Sequence, residues 1–396
     1  MMRTYQPVSG DADIKSVARL ISLCFSGPVE RTEEWARSAG VENIRVLRDG
    51  AAPPGACLLR LPMGQFFGGR SVPMVGIAGV AVGPEDRGRG LAREMMERAV
   101  VELAAEGVPL SGLYASTQAL YRQVGFEQCG HWCRVTLPVA KIGVRERAQS
   151  VRELTDADTP AIEACYRAFA SRFNGPLDRG AYVWGRIRKH RDEAFRPFGV
   201  FDEAGRLEGY LFLAQRRKDD TGRQDLHLTD LAFLTARAGR RLLTLLADYS
   251  TIVDDATFHA GPAHPVLALM PMQSYEVRRR EYWMLRVLSV KGALEARGYL
   301  ASVSGRFTLN IEDEVVPANS GAWTVRAEGG RAAVSRGAAA GAPTLRCGVG
   351  GLAAIYTGYF TGREAALAGL VEGADDALDA ATAIFSGGTP WMADMF

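Results

Sequence analysis

The stretch Val80-Ala-Val-Gly-Pro-Glu-Asp-Arg87-Gly88-Arg89-Gly90-Leu-Ala92 reads as a strand that turns through a glycine-rich loop straight into a helix. Glycines permit the tight turn and let backbone N–H groups point at one place, while the helix N-terminus adds its dipole, so the natural guest is a pyrophosphate. Arg87 and Arg89 supply local positive charge. The spacing contains neither Gly-x-Gly-x-x-Gly nor Gly-Lys-Ser/Thr, which argues against dinucleotide and P-loop sites. Farther on, Ala119-Leu-Tyr121-Arg-Gln-Val-Gly125-Phe126 presents a phenol. Strand alternation would set Cys129, His131 and Cys133 on one face. With no fourth ligand nearby to complete a tetrahedron, an ordinary strand is expected there and no metal site. His131, His190, His227, His259 and His264 pair with no Ser or Cys motif and receive no role.

The elements that must position these groups follow from hydrophobic patterning. A chain of 396 residues, at ~150 per domain, reads as three domains. The first, 1–145, alternates helix and strand: a helix with Ile14, Val17, Ala18 and Ile21, then strands Arg45 to Arg48 and Ala56 to Leu61. A turn at Gly68 and Gly69 leads to the buried strand Val75 to Val82. Leu91, Met95, Ala99 and Leu103 then recur on a helix that Gly107 closes, before a strand from Leu110 to Ala115. The second domain, 146–285, repeats this order. An acidic N-cap region at Thr155, Asp156 and Asp158 precedes a helix, and Leu228 to Leu246 takes the place of Val75 to Leu103. Its turn Thr235-Ala-Arg-Ala-Gly239-Arg-Arg has a single glycine, so a structural copy without cofactor is expected. The third, 286–396, carries short strands (Gly305 to Ile311, Trp323 to Ala327, Arg331 to Ser335) and then apolar helices, an α+β layer domain. No polar tail follows the last aromatic, Phe396, so the terminus is expected to be tied down.

The motif Arg87-Gly-Arg-Gly90-Leu-Ala92 after Val80-Ala-Val82 resembles the Arg/Gln-x-x-Gly-x-Gly/Ala signature of the GCN5-related N-acetyltransferases, whose loop cradles the pyrophosphate of acetyl-CoA. The resemblance implies acetyl-CoA as co-substrate, held by Val80, Ala81 and Val82 of the strand and by Arg87, Gly88, Arg89, Gly90, Leu91, Ala92 and Arg93 of the loop and helix start. Ser116 and Thr117 are implied to lie near it, and Tyr121 to protonate the departing thiolate. The whole chain is similar to the enhanced-intracellular-survival N-acetyltransferases of that superfamily. That similarity implies two tandem acetyltransferase domains, α/β and the second degenerate, followed by a sterol-carrier-protein-like domain. It implies that the carboxylate of Phe396 acts as general base, that Trp35 lines the substrate wall, and that the chain forms a homo-oligomer, a hexamer.

Composition narrows the partners. Lys and Arg number 47 against 45 Asp and Glu, for a formal charge of +2, so no global basic field exists to hold nucleic acid or a membrane surface. No stretch reaches the ~20 apolar residues of a membrane helix. Six dispersed cysteines form no disulfide framework, and a cytoplasmic location is expected. By analogy with that family, the leading expectation is acetyl transfer to an amine of a polycationic small molecule such as an aminoglycoside. Transfer to protein lysine side chains is a second reading, and a non-catalytic acyl-CoA or lipid-binding regulator a third. Glu30, Glu33, Glu34, Asp375, Asp376, Asp379 and Asp394 could attract a cation but read as solvated faces. No lipid ligand is expected from the third domain's fold alone.

Overall fold

The computed structural model describes residues 3–190, 192–218 and 221–396, which divide into two compact units. The first unit comprises 3–129, 283–388 and Phe396, and the second Gly130–Tyr282 with Thr389–Met395. Among the described residues no helix is long and apolar enough to cross a membrane.

The first unit opens with strand β1 (Arg3–Pro7), helices α1 (Asp11–Phe25) and α2 (Val29–Ser38), and strands β2 (Ile44–Asp49), β3 (Ala56–Phe67) and β4 (Arg70–Val82). The hairpin β3–β4 turns at Gly68 and Gly69, both at positive φ. Helix α3 (Leu91–Ala105) forms because Leu91, Met95, Met96, Ala99, Val100 and Leu103 make one buried stripe. Its outer face carries the i,i+4 pairs Arg93–Glu97 and Glu94–Arg98. Strand β5 (Leu110–Tyr114) and the short helix α4 (Gln118–Arg122) follow, and β6 (Glu127–Pro138) passes into the second unit at Gly130.

In the second unit a capping box between Thr155 and Asp158 sits between β7 (Ser150–Glu153) and α5 (Thr159–Ala170). Next come β8 (Leu177–Asp178), α6 (Ala181–Arg188), and the ribbon of β9 (Lys189–His190) and β10 (Glu193–Ala194). The main strands are β11 (Arg196–Phe201), β12 (Leu207–Arg217), β13 (Gln224–Phe233), β14 (Val253–Ala260) and β15 (Glu276–Val287), with α7 (Ala236–Ala247) between β13 and β14. Its sheet runs β6-β14-β13-β12-β11-β7. Gly239 does not shape a turn here. It lies inside α7, where a Cβ would come within 2.5 Å of Leu269 and 3.0 Å of Phe233, so close packing of helix on strand selects it.

From Trp283 the chain is back in the first unit, where β15 pairs antiparallel with β5, Trp283↔Tyr114 to Val287↔Leu110. That completes the order β1-β2-β3-β4-β5-β15. Then follow α8 (Val290–Ala296), β16 (Gly305–Glu312), β17 (Gly321–Glu328), β18 (Arg331–Arg336), β19 (Thr344–Gly348), α9 (Val349–Tyr356), α10 (Gly362–Leu367), β20 (Val371–Gly373) and α11 (Asp375–Ile384). The five strands form a second sheet in the order β18-β17-β16-β19-β20.

A buried ion pair joins these layers. Arg286 of β15 donates to both oxygens of Asp313 at 2.8 and 2.9 Å and to the Val124 carbonyl at 2.6 Å, and both side chains are fully enclosed. Gly125 is required beside it, since a Cβ there would fall 1.7 Å from Nη1 of Arg286. Burial pulls the Arg286 guanidinium below its ordinary value, with Asp313 opposing. Asp313→Ala leaves that cation buried and unpaired, so denaturant unfolding should show a loss of ~3–5 kcal/mol. The apolar double replacement Arg286→Met with Asp313→Leu should recover much of it.

Candidate active site

Strands β4 and β5 pair as parallel neighbours only from Met74↔Leu110 to Gly76↔Gly112. Past that point β4 runs on to Val82 and β5 to Tyr114 without pairing, so the strands part and leave facing main-chain groups for a third party. The other edge of β4 is bulged. Cys57 pairs with Ala81 and Leu59 with Ala78, so Gly79 and Val80 together oppose Leu58, and Gly79 takes φ +58°. A bulge leaves its extra residue outside the ladder and re-aims the strand. Val80 and Val82 are half-exposed at this place and Ala81 is buried.

The strand ends in a loop that delivers the chain to α3. Gly88 and Gly90 have φ of +76° and +79°, a region that costs an L-residue ~1–2 kcal/mol, and Gly90 is the N-cap of α3. A Cβ at either glycine would meet nothing within 4 Å, so packing inside the protein does not select them. Among the described residues no bond from the N–H of Gly88 or Gly90 to a main-chain carbonyl is seen. The N–H groups of Leu91, Ala92 and Arg93, in the first helical turn, have no acceptor within the helix either. The loop is therefore an open nest of donors that fits a pyrophosphate. Its arginines are not equivalent. Arg89 is held by Asp86 and, at 3.1 Å, by Asp49, and Arg93 by Glu97 at 2.7 Å. Among the described residues Arg87 reaches only the Cys24 sulfur, at 3.8 Å, and its charge is open to a ligand.

Tyr121 projects from α4 into the core of this unit, 4% exposed, edge-on to Phe126. Burial pushes its phenol up to about 12, and a hydrogen bond with Ser116 acts in the opposite sense. Ser116 and Thr117 form the exposed turn before α4, with Thr117 as its N-cap. Trp35, on α2, lays its ring edge against Gly79, 2.9 Å from where a Cβ would stand. The ring of Phe396 covers Gly76, where a Cβ would be 2.6 Å away, and meets Tyr114 edge-on at 5.8 Å. Thus Trp35, the loop, Tyr121 and Phe396 all belong to the first unit. The roles of Gly76, Gly79 and Tyr114 were missed from sequence. The available signal was two glycines interrupting a β-branched run, which marks a bulge or a close approach.

Other candidates resolve differently. Along β6, Cys129 and Cys133 are buried and His131 half-buried. Burial raises both thiols, which disfavours the thiolates a metal would need, and among the described residues no cluster could hold a metal ion. One acidic residue must be reassigned. Asp394 is not on a solvated face but buried against Arg179, which donates to it from Nε at 3.0 and 3.1 Å. In the second unit the N-terminus of α7 lacks the open nest. Thr235 caps it by accepting from the Ala238 N–H at 3.1 Å, and Thr235 in turn donates to the Glu208 carboxylate, also at 3.1 Å. A fixed negative charge there opposes a phosphate.

A parted parallel strand pair, a bulge and a glycine nest at a helix start define an acyl-CoA-dependent transferase site. The family model described as an acetyltransferase (GNAT) domain matches residues 5–129. Another of the same description matches 175–287, and a sterol carrier protein domain 290–393. The chain is 27% identical to an uncharacterized N-acetyltransferase of Streptomyces avermitilis, with 93% of each covered. It is 27% identical to the N-acetyltransferase Eis of Mycobacterium tuberculosis, over 73% of this chain and 77% of that one. The crystal structure of a GCN5-related N-acetyltransferase from Anabaena variabilis superposes over the full length of both chains with a TM-score of 0.94 and 30% identity. The chain belongs to the GCN5-related N-acetyltransferases, in the Eis-like branch that joins two acetyltransferase domains to a sterol carrier protein domain. It is an acetyltransferase, and its acyl donor is acetyl-CoA.

Gly90→Val adds a branched side chain in front of the nest and strains a left-handed position. Calorimetry should show acetyl-CoA binding weakened by roughly tenfold or more, with the fold retained. Equal affinity for mutant and wild type would contradict the loop's assignment.

Proposed function

We propose that the protein transfers acetyl directly from acetyl-CoA to an amine of a polycationic small molecule such as an aminoglycoside. In this reading Tyr121 is the general acid and the carboxylate of Phe396 the general base. The observation that carries it is the seat of Phe396: its ring sits on Gly76, where β4 and β5 cease to pair, and meets Tyr114 edge-on.

Acetyl-CoA supplies the thioester. The chain's own residues then divide the work. Val80, Ala81 and Val82 offer main-chain groups along the unpaired edge, and Arg87, Gly88, Arg89, Gly90, Leu91, Ala92 and Arg93 form the anion nest, with Ser116 and Thr117 flanking. Trp35 walls the acceptor side over Gly79, and its helix α2 also carries Glu30 and Glu34, both exposed, which suit a cationic acceptor. Attack on the thioester requires an amine without its proton, which the Phe396 carboxylate accepts. An α-carboxylate has a reference pKa of ~3.5, so it works through desolvation or a bridging water. Tyr121, protonated throughout the neutral range because burial raises it to about 12, returns a proton to the sulfur as charge develops there.

Domains at 1–145, 146–285 and 286–396 follow the order of helix and strand patterns along the chain, six cysteines with no disulfide framework suit a reducing, cytoplasmic location, and a homohexamer rests on the family resemblance.

Adding one residue after Phe396 moves the terminal charge by ~3.5 Å, beyond what general-base geometry tolerates. With a saturating cationic amine, a single-Gly extension should cut kcat by roughly 100-fold at unchanged thermal stability, and an extended enzyme with full activity would reject the carboxylate base. Tyr121→Phe should likewise slow turnover, by roughly 100-fold or more, and leave acetyl-CoA affinity alone. Because Glu208 occupies the surroundings of the α7 N-terminus, titration should give one tight acetyl-CoA site per chain; two would overturn the view of the second domain as degenerate.

A further inference from the structure

We propose that the second acetyltransferase-like domain uses its own strand fork as a socket for residues 389–395 of the same chain, with Arg179 and Asp230 as the ionic anchor that holds Asp394 in it.

The fork is visible in the register. Strands β13 and β14 pair in parallel from Gln224↔Val253 to His227↔Thr257 and then stop, although β13 continues to Phe233 and β14 to Ala260. This repeats the parting of β4 and β5. The space past the fork is lined by Asp230 and Leu231 from β13 and His259 from β14, together with Trp391 and Ala393 of the tail. Trp391 is seated closely: a Cβ on Gly261 would lie 2.5 Å from its ring, and His264 and Phe173 meet it at 5.5 and 5.4 Å. Main-chain bonds fix the register of the tail. The His131 N–H donates to the Pro390 carbonyl at 3.0 Å and the Met392 N–H to the His131 carbonyl at 3.1 Å, while the Trp391 N–H donates to the Asn174 carbonyl at 3.1 Å. Nε1 of Trp132 donates to the Ala393 carbonyl at 3.1 Å.

The last anchor is ionic. One edge of Arg179 holds Asp394, and Nη1 and Nη2 hold Asp230 at 2.5 and 3.0 Å. Tyr210 donates to Asp230 at 2.6 Å, and the guanidinium lies 3.6 Å over the Tyr166 ring. None of the three charged side chains is more than 4% exposed. Two carboxylates on one buried guanidinium are costly to desolvate, and apolar packing would serve stability as well. What the cluster supplies is a fixed location for Asp394.

The test uses the full-length chain. Asp394→Ala leaves the Arg179–Asp230 pair intact, so global thermal unfolding should change little. Hydrogen exchange at the amides of Trp391 and Met392 should accelerate by roughly tenfold or more. Asp394→Asn, which keeps an acceptor for Arg179, should restore part of the protection and covers the case in which the Ala variant does not fold. Wild-type tail protection in Asp394→Ala would overturn the socket.

Discussion

Two parallel strands that stop pairing after three residues set the terms for everything else in the first unit. A backbone group that leaves its ladder must find another partner, and in the fork of β4 and β5 the ring of Phe396 stands where the pairing ends. The bulge at Gly79 and Val80, the positive φ of Gly88 and Gly90, and the bare Cα of Gly76 each remove an obstacle that a side chain or a regular ladder would place there. Helix α3 packs its apolar stripe against this sheet, which fixes where the open N-terminus points.

Each unit also contains one fully buried arginine that holds a distant segment through carboxylate: Arg286 with Asp313 in the first, Arg179 with Asp230 and Asp394 in the second. Such pairs contribute little net stability against apolar alternatives. They discriminate among packings, because a misplaced segment would strand a charge in the core. Arg286 reads the position of the Val124 carbonyl and the loop after β16 at the same time, a task that a leucine could not perform.

What was legible in the sequence was whatever is encoded locally. The loop 87–92 announces itself because positive φ demands glycine, Tyr121 follows at a short fixed interval, and α3 shows its buried stripe in a single window. Long-range partners were not legible. Asp394 reads as one acidic residue among several because its counter-ion Arg179 stands 215 positions away. Gly239 reads as a turn residue because the side chains it accommodates, the Phe233 ring and the Leu269 methyl groups, are brought to it by the packing of α7 and not by any local pattern. Gly76 looks like a flaw in a strand until the ring of Phe396 is seen covering it.

The closing of the first sheet by β15 has a consequence for how the polypeptide is made. The edge of β5 finds its partner only when Trp283–Val287 emerges, roughly 170 residues after Tyr114. At ~5–20 residues per second of synthesis, the apolar strand Leu110–Tyr114 stays uncovered for about 10–30 s. An unpaired edge of that kind is a template for a wrong strand. On the ribosome, then, the nascent acetyltransferase domain is an incomplete sheet, and its yield depends on what shields that edge until Trp283–Val287 has emerged.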